Sequence, residues 1–144
     1  MQLEVKINLI LHATENENKV LEQLENVFQI EQKNFQIEQV PGHFNNPILL
    51  ISSKLKKKVA EKFVKILFSK MKEDEFQEIY ENVDKYVTSS GLSLRLSKQE
   101  IISEILTISK EDAIKININT PVYVKDETKK IYQQLLKSWF DWII

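Results

Sequence analysis

Three segments of this chain alternate apolar and polar residues, and this alternation limits the possible folds more than any other feature. Every second residue is apolar in residues 3–11, and residues 92–96 and Ala113–Asn119 repeat the pattern. Successive side chains of a β-strand point to opposite faces, so each segment predicts a strand with one face in the core. The sequence therefore predicts a sheet whose apolar face must be covered by other elements.

Helical spacing of apolar residues predicts the elements that cover this face. Thr14 with Glu17, and Ser97 with Glu100, have the spacing of a capping box, in which a side chain bonds the first free N–H groups of a helix. Ser53 can cap a long helix that runs to about Met71. The predicted helices are one from Thr14, one from Ser53, one over residues 74–86, a short turn after Ser97 and one over residues 128–143.

Further strands are predicted at residues 35–40 and 48–51, with a candidate strand at 105–108. Residues 48–51 are apolar at every position, which favours a strand covered on both faces. Strands and helices come in separate runs, so we expect an α+β fold with a mostly antiparallel sheet and helices mainly on one face. The 144 residues contain no repeat or linker and predict one domain over residues 1–144.

Composition excludes several classes of protein. The chain has no cysteine, so it has no disulfide framework, cysteine zinc site or thiol nucleophile. No phosphate-binding glycine loop, dinucleotide fingerprint or zinc-protease motif occurs. We therefore expect no cofactor and no metal. The N-terminal residues lack the pattern of a signal peptide, and no apolar run approaches a membrane span, so we expect a cytoplasmic protein.

The net charge of -1 means that any nucleic-acid binding must depend on a local basic patch. The outer face of the predicted sheet is one candidate, because its side chains could contact phosphates and sugar hydroxyls. It lacks the aromatic residues on which single-stranded RNA usually stacks, so structured or duplex RNA is favoured. A plain solvated face or one side of a dimer would look the same. The residues of this face are Lys6, Asn8, Ser93, Arg95, Lys115, Asn117 and Asn119.

A lysine cluster at the predicted start of the long helix is the second candidate. The cluster comprises Lys54, Lys56, Lys57 and Lys58. The positive end of the helix dipole disfavours cations there by about 0.3–1 kcal/mol each. A bound phosphate would offset this cost, because helix N-termini bind anions. The alternative is a lysine-rich solvated surface.

The two histidines are the third candidate. His12 and Thr14 have the His-x-Thr spacing of two-histidine phosphoesterases, but His43 is followed by Phe44 and Asn45 instead of a second such element. An acid–base pair needs both imidazoles at one phosphorus. We therefore expect a non-catalytic protein, and a metal-free phosphoesterase is a remote alternative.

Four short motifs resemble those of one archaeal family. They occur in order at residues 12–16 (HATEN), 42–48 (GHFNNPI), 94–99 (LRLSKQ) and 112–116 (DAIKI), within a region of similarity from residue 7 to residue 119. The family is the set of archaeal proteins described as predicted RNA-binding proteins or predicted exosome subunits. Asn45 stands where the family has a glycine and Ser97 where it has an aspartate.

The resemblance implies a fold similar to the ribosomal large-subunit protein that holds the 5S RNA. It also implies RNA binding and a possible association with exosome subunits. The positions that the family would mark are His12, Thr14, His43, Asn46, Arg95, Lys98 and Gln99.

Two functions are therefore open. In the first, the chain is a non-catalytic RNA-binding accessory protein that contacts phosphate and sugar through the lysine cluster and the segment Arg95–Lys98–Gln99. In the second, it is a homodimeric structural or assembly protein that acts through protein contacts. The second depends on Ile10 on the outer face, on the strand at residues 48–51 and on an apolar C-terminal tail, which comprises Trp139, Phe140, Trp142, Ile143 and Ile144.

Overall fold

The computed structural model describes residues 3–12, 16–42, 47–101, 103–109, 113–121 and 127–141. These residues form an antiparallel sheet of six strands in the order β2-β3-β1-β6-β5-β4. The strands are β1 (Glu4–Leu11), β2 (Gln36–Pro41), β3 (Pro47–Lys56), β4 (Val87–Thr88), β5 (Gly91–Ser97) and β6 (Ala113–Asn119). The helices are α1 (Glu17–Phe28), α2 (Lys57–Lys70), α3 (Glu73–Glu81), α4 (Val83–Tyr86), α5 (Lys98–Ile101) and α6 (Thr128–Asp141), with a 3-10 turn at Gln32–Asn34.

The core lies between one face of this sheet and the helices. Ile7 of β1 stands opposite Ile116 of β6 and opposite Ser53 of β3, and all three are buried. Phe28 of α1 packs on Phe63 of α2 with ring centroids 4.7 Å apart. The alternating residues of β1, β5 and β6 thus point inward and outward as the sequence predicts, and the predicted α+β fold with an antiparallel sheet is confirmed.

The prediction that a helix begins at Ser53 is wrong. β3 continues through Ser53 to Lys56, and α2 begins at Lys57. Ser53 is buried, and its hydroxyl donates to the carbonyl of Asn34 at 2.9 Å instead of capping a helix. The strand continues because β1 pairs with β3 as far as Lys56, opposite Glu4. Residues 48–50 are only half-buried, so the predicted coverage of both faces is also wrong.

Two helix starts test the predicted caps. α1 is capped by Asn16, whose Oδ1 accepts from the Lys19 N–H at 3.1 Å, and Thr14 lies outside the described residues. Asn16 caps the helix because its carboxamide oxygen accepts a hydrogen bond from the third helical N–H. At α5 the prediction is confirmed, since the Ser97 hydroxyl accepts from the Glu100 N–H at 3.2 Å.

Two other segments differ from their predicted form. The helix expected over residues 74–86 is divided at Asn82, where the backbone leaves the helical region at φ -116 and ψ 38. The Asn82 amide donates to the Glu78 carbonyl at 3.2 Å and closes α3. Residues 105–108 form no strand, because they contribute one bridge, between Ile108 and Leu96.

The final helix packs into the core. The Trp139 side chain is 2% exposed, and its ring lies parallel to that of Phe68 with centroids 5.7 Å apart. Phe140 stacks on Phe76 at 4.1 Å. The first part of the predicted apolar tail is therefore core, and Trp142, Ile143 and Ile144 lie outside the described residues. Within the described ranges, no helix combines the length and the apolar character needed to cross a bilayer.

Candidate nucleic-acid interface

The outer face of the sheet carries polar and basic side chains in rows that cross the strands. In antiparallel strands, residues that stand opposite each other point to the same face. Arg95 stands opposite Lys115, Lys115 opposite Asn8, and Asn8 opposite Ser52. Gln36 of β2, opposite Ser52, completes this first row. The row therefore crosses five strands, a distance of roughly 19 Å at the usual strand spacing.

Two shorter rows follow toward the Glu4 end of β1. The second contains Ser93, Asn117, Lys6 and Lys54, and the third contains Asn119, Glu4 and Lys56. The Asn117 amide donates to the Ser93 hydroxyl at 3.0 Å. Lys54 forms an ion pair with Glu4 at 3.2 Å. Apart from these contacts, the rows present ammonium, guanidinium, amide and hydroxyl groups to solvent.

The outer face is basic although the chain is slightly acidic. Among its described residues are the cations Lys6, Lys54, Lys56, Arg95 and Lys115 and the carboxylates Glu4 and Glu38. Five positive and two negative side chains give a local charge of +3 in a chain of net charge -1. The face thus has the local basic patch that the total charge hides.

Two like-charged pairs stand directly across neighbouring strands of this face. Arg95 is opposite Lys115, and Lys6 is opposite Lys54. Opposed side chains have β-carbons about 5 Å apart, and like charges at that distance destabilise a sheet. The ion pair between Lys54 and Glu4 offsets part of the repulsion at Lys54, because exposed pairs contribute about 0–1 kcal/mol. An anion that bridges the cations would remove the repulsion.

The outer face and the lysine cluster were predicted as separate candidates, but the register of β3 makes them adjoin. Lys54 and Lys56 belong to the outer face, whereas Lys57 and Lys58 occupy the first turn of α2. Lys56, Lys57 and Lys58 line one surface depression of about 1040 Å³ at the Glu4 end of the sheet. Lys54 and Lys56 therefore share the outer face with Arg95, and Lys57 and Lys58 adjoin that face at its Glu4 end. The alternation of Lys54, Leu55 and Lys56 was the signal that could have shown this.

Lys98 differs from the other predicted contact residues. Its side chain is 2% exposed, and its Nζ donates to the carbonyl of Ile10 at 2.7 Å. The pairing of β1 with β6 ends at Asn8 opposite Lys115, so this ammonium bonds a β1 carbonyl beyond the paired region. The structure thus places Lys98 inside the fold, and we do not include it in the interface.

Replacing Lys98 by methionine is expected to lower the free energy of unfolding by about 1–3 kcal/mol. The substitution keeps the chain length but leaves the Ile10 carbonyl without this donor. Gln99→Met is the matched control, because Gln99 is the exposed neighbour on the same helix. Urea denaturation of both variants measures the difference. Equal midpoints for the two variants would contradict a structural role for Lys98.

The remaining predicted residues are distributed as follows. His12 is exposed at the end of β1, and Gln99 is exposed on α5. Thr14, His43 and Asn46 lie outside the described residues, so their predicted roles stay predictions. Ser52, Gln36 and Glu38 also belong to the outer face. The sequence analysis missed Ser52 because the strand was predicted to end at residue 51, and it assigned no face to Gln36 and Glu38 within the strand predicted at residues 35–40.

A groove of about 710 Å³ lies at the His12 end of the outer face. Arg95 and Lys115 line it on the basic side, and Ile10 and Leu50 line it beyond them. The described residues of its lining include His12 but no phenylalanine, tyrosine or tryptophan. Base stacking on large aromatic rings, as in many single-strand RNA-binding sheets, is not available in this lining.

Comparison with known proteins shows that this chain is similar to archaeal proteins. The RNA-binding protein PAB1135 of Pyrococcus abyssi is 26% identical over an alignment of 144 positions, which spans 95% of this chain and 92% of that protein. Protein SSO0741 from Sulfolobus solfataricus superposes with a TM-score of 0.75 at 26% identity, over 94% of this chain and 98% of that one. Mth689, a DUF54 protein from Methanothermobacter thermautotrophicus, shares the fold with a TM-score of 0.74 at 21% identity, over 97% of this chain and 99% of that one.

These similarities confirm the predicted fold class and the archaeal RNA-binding resemblance. They show neither an exosome association nor a fold like that of the ribosomal 5S-RNA-binding protein, so both stay predictions. A family model described as RNA binding matches residues 4–120, a range that includes all six strands. Because that match covers most of its length, the chain belongs to this RNA-binding family.

Proposed function

We propose that the protein is a non-catalytic RNA-binding protein whose outer sheet face contacts phosphates and sugar hydroxyls. The observation that carries this proposal is the two pairs of opposed cations, Arg95 with Lys115 and Lys6 with Lys54. A polyanion that contacts both cations of a pair would offset their mutual repulsion. Membership of an RNA-binding family supports RNA as that polyanion.

Structured or duplex RNA is the form that the face suits best. Proteins recognise duplex RNA through phosphates and 2′-hydroxyls, and recognise single strands mostly by stacking bases on aromatic rings. Asn8, Asn117 and Asn119 offer amides and Ser52 offers a hydroxyl on the same face as the cations. These groups suit sugar hydroxyls, which supports a duplex partner.

The homodimer alternative keeps one of its supports. Ile10 is 44% exposed on the outer face, where it stands opposite Leu50, and an exposed apolar patch can mark a protein contact. Trp139 and Phe140 no longer favour that alternative, because both rings pack on phenylalanines of the same chain. The association with exosome subunits is not part of the proposal, because the face supplies groups for phosphate and none that select a particular protein.

Binding of labelled RNA across a salt series tests the proposal. We expect a hairpin duplex to bind more tightly than a single strand of equal length. The logarithm of its affinity should fall linearly with the logarithm of salt concentration, by about 0.9 for each contacted phosphate. Fluorescence anisotropy measures both properties. Folded protein that binds neither RNA at low salt would contradict RNA binding, and tighter binding of the single strand would contradict the duplex preference.

A further inference from the structure

The basic character of the outer face stops at the row that contains Arg95 and Lys115. The neighbouring row, toward the His12 end, contains Ile10, Leu50 and Glu38. The row beyond it contains Ile48 opposite Val40. The described part of the face thus changes from cationic to apolar over one or two residues of each strand. Beyond the row of Arg95 and Lys115, its charged side chain is the carboxylate of Glu38.

The groove of about 710 Å³ lies on this boundary. Its volume falls within the range of roughly 300–1,000 Å³ that is usual for small-ligand sites. Arg95 and Lys115 form its cationic side, whereas Ile10 and Leu50 form its apolar side. Asn8, Ser52 and Gln36 continue the row of Arg95 and Lys115 across the sheet and can donate or accept hydrogen bonds.

This combination matches the chemistry of one nucleotide. A nucleotide carries an anionic phosphate, a sugar with hydroxyl groups and a base with two apolar faces. The cation pair suits the phosphate, the polar row suits the sugar, and the aliphatic side chains suit one face of the base. Glu38, at the far side of the groove, would repel a second phosphate there.

We propose that this groove holds the terminal nucleotide of the bound RNA, an inference that rests on the proposed RNA binding. A strand that entered from Lys6 and Lys54 would meet cations up to Arg95 and Lys115. Beyond that row, toward the His12 end, the next phosphates would lie over the row of Ile10, Leu50 and Glu38, which offers no positive charge. The charge pattern therefore accommodates a chain end better than a chain that passes through.

Two hairpin RNAs of identical stem sequence test this inference. One has a free end with a two-nucleotide overhang, and the other is a dumbbell closed by loops at both ends. We expect the open RNA to bind about 10-fold more tightly than the dumbbell. Arms with the overhang on the 5′ strand or on the 3′ strand show which terminus is held. Fluorescence competition, with each unlabelled RNA displacing the same labelled probe, gives the ratio.

Ile10→Thr separates the groove from the rest of the face. Threonine keeps the branched β-carbon that suits a strand but removes much of the apolar surface. We expect this variant to lose most of the 10-fold preference while its affinity for the dumbbell stays unchanged. Ile105→Thr is the matched control, because Ile105 is also an exposed isoleucine but lies outside the groove lining.

The outcomes separate this inference from the function on which it rests. Equal affinity of the normal protein for the open RNA and the dumbbell overturns the terminal site but leaves RNA binding intact. A preference that survives Ile10→Thr unchanged overturns the assignment to this groove. Absence of binding to either RNA overturns both the inference and the proposed function.

Discussion

Replacing Lys6, Arg95 and Lys115 together by glutamate is expected to weaken RNA binding on the order of 100-fold or more. A hydrogen bond to a charged group contributes about 1.5–3 kcal/mol, and each 1.4 kcal/mol is tenfold in affinity. The three side chains come from three different strands of the outer face. Loss of their phosphate contacts should also make the salt dependence shallower by about 3 logarithmic units per decade of salt.

The control for this variant must change the total charge by the same amount. Lys62→Glu, Lys72→Glu and Lys137→Glu do so with exposed lysines of the helical layer. If binding depends on the outer face, this control variant should keep most of its affinity and its full salt slope. Anisotropy titrations at several salt concentrations compare the two triple variants. Equal losses in both would show that total charge, and not the outer face, determines binding.

Replacing Trp139 by alanine is expected to lower the free energy of unfolding by about 3–5 kcal/mol. Truncation of a buried aromatic ring removes apolar contact and leaves a cavity that the surrounding structure fills only in part. Trp139 is 2% exposed and stacks on Phe68, so its truncation removes both buried apolar contact and ring stacking. This loss is a large part of the stability of an ordinary domain. Urea or thermal denaturation followed by circular dichroism gives the value.

Ser138→Ala is the control for this experiment, because Ser138 is the exposed neighbour of Trp139 on α6. A change within about 0.5 kcal/mol is expected there. The experiment also bears on the homodimer alternative. If Trp139 were mainly an interface residue, its truncation would alter the sedimentation behaviour of the protein and leave the unfolding of the dilute protein nearly unchanged.

The alternation of single strands made most of the fold predictable. In β1 and β6, every residue of the inward face is apolar, so the inward and outward sets follow from the period of a strand alone. The polar outer face was predictable for the same reason. Asn117 and Ser93, for example, were expected on one face and are hydrogen-bonded to each other there.

Two predictions were wrong because they concern residues whose positions depend on contacts with distant parts of the sequence. Ser53 is a good helix cap by type, and the lysines after it are good helix formers, but pairing of β3 with β1 fixes the strand as far as Lys56. Lys98 is a lysine in a polar segment, so exposure was the natural expectation. Its partner, the carbonyl of Ile10, is 88 residues away along the chain, and only the folded chain brings them together.

The direct passage from β3 into α2 has a consequence for the speed of recognition. Lys56 ends the strand and Lys57 begins the helix, and the Lys57 N–H is hydrogen-bonded to the Leu3 carbonyl at 3.0 Å. The backbone beneath these lysines is therefore fixed before any partner arrives, and no segment there has to become ordered on contact. Encounter should then be limited by diffusion and accelerated by charge. Added salt should mainly slow association, while the lifetime of the complex changes less.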